Sequence, residues 1–185
     1  MSVLAPTSGA SASAVDTAER GGKFLTFYLA DEEYGVEILK VQEIIGMQPI
    51  TRVPRTPSFI RGVINLRGKV IPIMDLRERF GMDAARTADE AASALRCIIV
   101  VQVAGPQARV VPVGIVVDRV SEVSAIASED IEDAPSFGAG VKTEYLLGLG
   151  RARTGDGQGR VRLLLDIDRV LATDELSAVQ AIDAG

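Results

Sequence analysis

Apolar and polar positions between residues 58 and 81 predict a strand, a tight turn, a second strand and a short helix. Two apolar runs, at 60–66 and 70–74, flank a turn in which Gly68 can adopt a positive φ. Asp75 follows the second run, where its carboxylate can cap the free N–H groups of a helix. The pattern therefore predicts a β-hairpin that leads directly into a helix.

The same order of elements recurs near the C-terminus. A glycine-containing strand at 147–150 leads through a glycine-rich turn to the apolar run 161–165, and Asp166 then opens a second helix. Upstream of each copy lies a further apolar strand, at 24–29 in one case and at 97–103 in the other. Four elements in the same order indicate two related β units in tandem.

The repeat also sets the expected boundaries of the chain. The two β units span about 24–82 and 96–172, and an alanine-rich linker at 83–95 joins them. Low-complexity Ser, Ala, Gly and Thr residues at the start are typical of disorder. The predicted organisation is a disordered N-terminal tail at 1–22, a domain at 23–173 and a C-terminal helix or tail at 174–185.

Residues 37–45 are predicted to form a helix. Ile38, Val41 and Ile45 would share one face of this helix, whereas Leu39 and Ile44 would lie elsewhere. Apolar residues on several faces of so short a helix have two explanations. Either both faces are buried between the two β units, or the helix borders a groove that binds a partner.

Composition supports a mainly β fold with a real core. Hydrophobic residues make up 47% of the chain but aromatic residues only 4%, so Val, Ile and Leu must fill the core. A single cysteine cannot form an internal disulfide, which fits a reducing cytoplasm. The first 22 residues lack the features of a secretory signal, and no apolar run approaches the ~18–20 residues of a membrane span. Direct insertion into a membrane is therefore not expected.

Charge argues against a general nucleic-acid binder and for a protein partner. The net charge is -5 and the isoelectric point is about 4.9, which does not suit attraction to phosphates. Residues 44–74 nevertheless contain no acidic side chain, and an acidic segment precedes them. Adjacent patches of opposite sign can steer a protein partner. The basic residues of this stretch are Arg52, Arg55, Arg61, Arg67 and Lys69.

Candidate catalytic chemistry is sparse. The chain has no histidine, which excludes His-based acid–base catalysis, Ser-His-Asp and Cys-His schemes, and His metal sites. Cys97 precedes an apolar run and is predicted to be buried and dispensable. Asp75 with Glu78, and Asp166 with Asp168, are explained as helix caps. No cofactor, metal site or catalytic residue is predicted, so the chain is expected to work by binding.

Four segments carry a resemblance to a known family. On these segments the chain resembles the CheW family of bacterial chemotaxis coupling proteins, from about residue 24 to about residue 171. Glu43, the NLRG turn and the EYLLGLG-type strand occur in the family order. The segments read YGVEILKVQEI at 34–44, FIRGVINLRGKVIPIMDL at 59–76, VGIVVDRV at 113–120 and TEYLLGLG at 143–150.

The resemblance implies a fold and a function. The fold would be two intertwined SH3-like five-stranded β-barrel subdomains with a few short helices. The function would be that of a cytoplasmic adaptor, without catalysis, that joins the histidine kinase CheA to the cytoplasmic tips of methyl-accepting chemoreceptors in arrays at the membrane. The kinase partner would be the SH3-like regulatory domain of CheA.

The resemblance also implies a receptor-binding site. In the family, receptor contact involves a valine and a glutamate of the KVQEI segment, and a glycine and an arginine of the RGVxNLRG segment. These match Val41, Glu43, Gly62 and Arg67. The sequence assigns no residues to the kinase-binding surface.

Three alternatives stay open at this point. One is a CheW-like domain of a CheV or CheA type protein, which the absence of a receiver or kinase segment after Leu171 disfavours. A second is an SH3-like RNA-binding barrel, which would need stacking aromatics, whereas only Phe59 lies within 44–74. A third is a carboxylate-dependent hydrolase, which Asp166→Asn would test.

Overall fold

The computed structural model describes residues 20–82, 90–135, 143–153 and 159–172. Within these ranges the chain forms eleven strands and three short α-helices, besides four three-residue 3-10 turns. The strands are β1 (Gly22–Leu29), β2 (Glu32–Glu37), β3 (Val41–Gly46), β4 (Ile60–Leu66), β5 (Lys69–Asp75), β6 (Cys97–Ala104), β7 (Val110–Val117), β8 (Arg119–Ile126), β9 (Ile131–Glu132), β10 (Leu146–Arg151) and β11 (Val161–Leu165). The helices are α1 (Leu76–Arg79), α2 (Glu90–Ser93) and α3 (Ile167–Val170).

The strands form two sheets. The five-strand sheet has the order β3-β6-β7-β5-β4, and the six-strand sheet has the order β8-β1-β2-β11-β10-β9. The prediction of a mainly β fold with two intertwined SH3-like units is confirmed; the extra strand of the second sheet is the two-residue β9. None of the helices in the described ranges is long and apolar enough to cross a membrane.

Each sheet contains strands from both halves of the chain. The hairpin β1–β2 lies in the six-strand sheet, where β1 pairs with β8 and β2 runs parallel to β11. The hairpin β6–β7 lies in the five-strand sheet, where β6 pairs with β3 and β7 runs parallel to β5. The two halves have therefore exchanged hairpins, so each half of the repeat contributes strands to both sheets.

An aspartate caps the helix at each strand-to-helix junction. Asp75 caps α1 by accepting a hydrogen bond from the N–H of Arg77 (3.0 Å), and Asp166 caps α3 by accepting one from the N–H of Arg169 (3.3 Å). The backbone N–H groups of the two aspartates donate to the carbonyls of Phe59 and Tyr145, each at 2.8 Å. The two predicted caps are therefore confirmed.

The main hydrophobic core contains buried residues from both sheets. Tyr34 lies between two other rings, 6.0 Å from Phe27 and 5.8 Å from Phe80 between centroids. Burial, with a smaller contribution from Glu32, raises the pKa of the Tyr34 hydroxyl to about 12. Because this core bridges the sheets, they pack as one unit. Its other buried members include Leu25, Val36, Met74, Ile99, Val101, Ile115, Leu165 and Ile167.

The helix predicted at 37–45 is wrong. A single 3-10 turn at Ile38–Lys40 leads directly into β3. Along β3, burial alternates: Val41, Glu43 and Ile45 are half-buried, and the residues between them are exposed. A period of two and the pairing with β6 are features of a strand. They outweigh the helical spacing of the apolar residues in this segment.

Several predicted boundaries fall partly outside the described residues. Of the predicted tail at 1–22, the structure describes Arg20 to Gly22, and Gly22 already belongs to β1. The linker at 83–95 is described from residue 90, where α2 begins. The predicted C-terminal helix or tail at 174–185 lies outside the described residues.

Candidate functional site

An ion pair between Glu43 and Arg67 joins the two outermost strands of the five-strand sheet. Glu43 lies on β3, and Arg67 lies at the tip of the β4–β5 hairpin. The guanidinium donates two hydrogen bonds to the carboxylate, both at 2.7 Å. The hydrogen bond from Arg67 lowers the pKa of the Glu43 carboxyl group, and the same contact raises the pKa of Arg67. Both groups are therefore held in their charged forms.

The hairpin tip is built to present Arg67. Arg67 has φ 52° and Gly68 has φ 84°, two successive positive values that are typical of a two-residue hairpin turn. The side chain of Asn65 accepts a hydrogen bond from the N–H of Gly68 at 2.9 Å, which fixes the turn. The Arg67 side chain is 73% exposed and that of Glu43 is 20% exposed. The expectation that both are accessible therefore applies more fully to Arg67.

Val41 precedes Glu43 by two positions on the same strand. It is half-buried and packs against the main core. A bulge at Gln42 interrupts the pairing of β3 with β6 between Val41 and Glu43. Bulges bend a strand and redirect its side chains. The structure thus places Val41 at the margin between the core and the Glu43 surface.

Gly62 is buried on β4 and acts through the backbone. Its φ is +138°, a value that side chains rarely adopt, and an added Cβ would overlap the carbonyl oxygen of Thr51. That carbonyl accepts a hydrogen bond from the N–H of Val63 at 2.8 Å, and the Thr51 N–H donates back at 2.9 Å. Gly62 therefore shapes the segment beside β4, whereas Glu43 and Arg67 form the polar contact.

Three exposed apolar side chains lie within four residues of Glu43 in the sequence. Leu39 is 93% exposed immediately before β3, Ile44 is 46% exposed beside Glu43, and Met47 is 40% exposed just after the strand. Of the two explanations for Leu39 and Ile44, burial between the β units is wrong. Sequence reasoning did not include these residues in the site, although their misfit to one helical face was a signal.

A cleft of about 490 Å³ lies beside the start of β4 and is lined by part of the basic stretch. Arg52 and Arg61 face this cleft together with Glu78. Arg61 is half-buried, and its guanidinium lies 3.8 Å from the carboxylate of Asp75. Arg52, Arg55, Arg67 and Lys69 are exposed, so the basic residues of this stretch reach solvent in an acidic chain.

The glutamate of the second half that is equivalent to Glu43 has a different kind of partner. Glu122 of β8 corresponds to Glu43, and its partner is Arg162 of β11, at 3.1 Å. Arg162 is buried and also contacts Glu33 (3.1 Å) and the hydroxyl of Ser124 (2.8 Å). In the second half the arginine partner, Arg162, is therefore buried, whereas in the first half Arg67 is exposed to solvent.

Cys97, the single cysteine, lies at the start of a strand and is only partly covered by its neighbours. Cys97 is half-buried, so the prediction that it is buried is wrong in degree. Cys97 is the first residue of β6, and its neighbour on β3 is Gly46, which has no side chain to cover it. Desolvation raises the pKa of the Cys97 thiol, although a backbone hydrogen bond from Val120 opposes this.

Across the residues that the structure describes, no group of three or more His, Cys, Asp or Glu side chains could hold a metal ion.

Comparisons with known proteins identify relatives of the whole domain. The CheW-like domain family matches residues 23–175. The chemotaxis protein CheW of Klebsiella aerogenes is 42% identical over 162 residues, which cover 88% of this chain and 89% of that protein. The chemotaxis protein CheW of Rhizobium meliloti is 34% identical over 158 residues, covering 85% and 92% respectively.

A solved structure shows the same relationship. The scaffolding protein TtCheW from Thermoanaerobacter tengcongensis superposes with a TM-score of 0.68 at 32% identity, covering 84% of this chain and 90% of that one. A family match over most of the chain, close curated relatives and a shared fold lead to one conclusion: the chain belongs to the CheW family of chemotaxis scaffold proteins.

Proposed function

We propose that this protein couples methyl-accepting chemoreceptors to the histidine kinase CheA, and that it does so by binding, without catalysis. The observation that carries the proposal is the Glu43–Arg67 pair, which joins the two ends of the five-strand sheet and presents Arg67 to solvent. Leu39, Ile44 and Met47, which flank Glu43 in the sequence and are exposed, would supply the apolar part of an interface that has polar groups at its rim. The protein would act in the cytoplasm and be recruited to receptor arrays.

Receptor binding is assigned to Val41, Glu43, Gly62 and Arg67, in two kinds of role. Glu43 and Arg67 would contact the receptor directly, because their polar groups reach solvent. Val41 would contribute at the edge of the core, and Gly62 would shape the surface through its backbone. The SH3-like regulatory domain of CheA would bind elsewhere, on a surface to which we assign no residues.

The test compares charge reversal with a matched control. Arg67→Glu places two carboxylates together at the hairpin tip, and we expect it to abolish the assembly of kinase with receptor-containing membranes. Arg151→Glu is the control, because Arg151 also forms an exposed ion pair with a glutamate, Glu132, between neighbouring strands. The control should retain assembly. Both variants should melt near the wild-type temperature, since exposed pairs add little stability.

A second comparison tests the apolar part of the surface. Ile44→Ser removes an exposed apolar side chain next to Glu43, and Val123→Ser removes the side chain at the equivalent place on β8, which is 50% exposed. We expect only Ile44→Ser to weaken receptor assembly. Binding of each variant to the isolated kinase regulatory domain is measured in parallel and should be unchanged. Equal assembly by wild type, Arg67→Glu and Ile44→Ser would overturn the assignment.

A further inference from the structure

The cleft beside the start of β4 has a wall that hydrogen bonds hold in place. Thr51 exchanges two backbone hydrogen bonds with Val63, at 2.8 and 2.9 Å. Further along the same wall, the hydroxyl of Thr56 donates to the carbonyl of Val53 at 2.9 Å. The segment between Thr51 and β4 is therefore anchored at its start and within its turn. The cleft, of about 490 Å³, is preformed.

The charges behind the cleft do not balance among the residues that the structure describes. Asp75 lies 3.5 Å from Arg96 and 3.8 Å from Arg61. Asp118 lies 3.3 Å from Arg77 and 3.9 Å from Arg96. Two carboxylates thus meet three guanidinium groups, which leaves one positive charge in excess. Arg61 lines the cleft and has the most exposed side chain of the five, so the excess charge faces the cleft.

Arg52 adds a second cation to the same cleft. It is exposed, and its side chain has no hydrogen bond or ion pair with another residue of the described ranges. Arg52 directly follows Thr51, so the bridge between Thr51 and Val63 fixes the position of its backbone. Folding within these ranges does not use the Arg52 guanidinium, which leaves it available to a partner.

The lining of the cleft suits a carboxylate on an aliphatic stem. Arg52, Arg61 and Glu78 together give it one net positive charge. A carboxylate carries a single charge and can pair with guanidinium groups through two parallel hydrogen bonds. A phosphate group would bring about −1.5 to −2 charges, which exceeds this surplus. The aliphatic part of the lining consists of Ile50, Val53, Pro57 and Ile60.

The cleft adjoins the surface that the proposed function assigns to the receptor. Gly62 lies between Arg61 and Val63, and the carbonyl of Thr51 packs against it. Gly62 therefore lets the wall of the cleft approach β4 closely. Arg67 follows Arg61 by six residues, which is about 20 Å along a strand. A helix of about 13 residues would span that distance and contact both arginines.

We propose that this cleft binds an acidic side chain of the chemoreceptor, and that Arg52 and Arg61 recognise its carboxylate. The inference rests on the receptor binding proposed above and adds a second contact to it. Removing a cation from the cleft should weaken receptor binding, whereas removing the negative charge of Glu78 should strengthen it. A role in folding alone would not produce this pair of opposite effects.

The test uses single changes that remove one charge each. Arg52→Gln removes the free cation, and Glu78→Gln removes the anion while it keeps a suitable residue at the third position of α1. Arg61→Gln removes the second cation, which also neighbours the buried Asp75. Its thermal melting is therefore measured first, and if it does not fold, Arg52→Gln decides. Arg55→Gln is the matched control, because Arg55 is exposed on the same segment but does not line the cleft.

Binding of each variant to receptor-containing membranes is measured by sedimentation, with receptor-free membranes as the blank. We expect Arg52→Gln and Arg61→Gln to weaken binding about tenfold, and Glu78→Gln to strengthen it about threefold. Arg55→Gln should change it less than about twofold. These differences should shrink at high salt, because salt screens the charges. Binding to full-length kinase in solution is measured in parallel and should be unchanged.

Arg67→Glu separates failure of this inference from failure of the proposed function. If Arg67→Glu binds receptor-containing membranes as wild type does, the proposed function is wrong. If Arg67→Glu loses binding while Arg52→Gln and Glu78→Gln both match wild type, only the role of the cleft is wrong. If Arg52→Gln weakens binding to the kinase and leaves receptor binding unchanged, the cleft belongs to the kinase and the proposal is overturned.

The chemical class of the ligand is tested on the receptor side. Acidic residues of the receptor tip are changed one at a time to the corresponding amide, and each variant receptor is combined with wild type and with Arg52→Gln. For the side chain that occupies the cleft, the two proteins should bind the amide variant equally, because the pair is already broken. If the difference between the two proteins persists with every amide variant, the ligand is not a carboxylate and the proposal is overturned.

Discussion

Lys40 and Asp168 are 128 positions apart in the chain, yet their side chains form an ion pair of 2.7 Å. Burial alone would raise the pKa of Asp168, but the hydrogen bonds from Lys40 and from the N–H of Ala104 lower it below its usual range. The contact raises the pKa of Lys40 in turn. This pair therefore stabilises the fold at neutral pH.

Asp168→Asn should make this contribution visible as a pH dependence. A carboxyl group whose pKa is lower in the folded state stabilises the protein above its unfolded pKa of about 3.9. The contribution is lost as the pH falls through the folded pKa. We expect the variant to lose up to about 1 kcal/mol at pH 7, since the pair is partly exposed. Urea unfolding from pH 7 to pH 3 should show the difference shrinking below pH ~4, and a constant difference would contradict this prediction.

Gly62→Ala should be strongly destabilising. The new Cβ would meet the carbonyl of Thr51 while the backbone holds φ at +138°. We expect a loss of about 3 kcal/mol or more in the free energy of unfolding. Gly46→Ala is the control, because nothing lies within 4 Å of its added Cβ, and it should stay within about 0.5 kcal/mol of wild type. Equal effects in denaturant melts would show that the backbone of Gly62 is not constrained.

The two helix caps should contribute different amounts to the free energy of unfolding. Asp166→Ala removes a cap at a partly exposed junction and should cost about 0.5–2 kcal/mol. Asp75→Ala also removes a buried carboxylate that lies 3.5 Å from Arg96 and 3.8 Å from Arg61. We therefore expect a larger loss of about 2–4 kcal/mol. Thermal melting of both variants measures the order, and the reverse order would contradict the network around Asp75.

Cys97 should react slowly in the folded protein. Burial raises the pKa of its thiol, and the thiolate is the form that attacks maleimide. At pH 7 we expect slow labelling that accelerates many-fold in urea. Cys97→Ala should cost about 1 kcal/mol and leave scaffold assembly unchanged. Labelling at the same rate in buffer and in urea would mean that the side chain is freely accessible.

The sequence predicted the local features that short-range chemistry determines. The caps Asp75 and Asp166 and the turn at Gly68 were predictable because each depends on a few adjacent residues. The helix predicted at 37–45 failed because pairing of β3 with β6 outweighs local periodicity. That pairing joins distant parts of the chain, and a pattern in one segment does not reveal it.

The candidate site was predictable as residue types but not as geometry. The resemblance indicated both Glu43 and Arg67, which are 24 residues apart, without indicating that they touch. The sheet order places β3 and β4 at opposite ends of one sheet, so their contact requires that sheet to close into a barrel. The exposure of Leu39 and Ile44 depends on the same arrangement. The role of Gly62 required the position of the Thr51 carbonyl, which no spacing rule supplies.

The parallel pairing of β2 with β11 has a consequence for synthesis of the protein on the ribosome. β2 ends at Glu37, but its neighbour ends at Leu165, so the first hairpin emerges almost 130 residues before its sheet can be completed. At ~5–20 residues per second, that delay lasts roughly 6–26 s. Throughout most of this interval β3, β4 and β5 are already present. The first hairpin therefore waits for its parallel partner β11 while the strands made directly after it are already available.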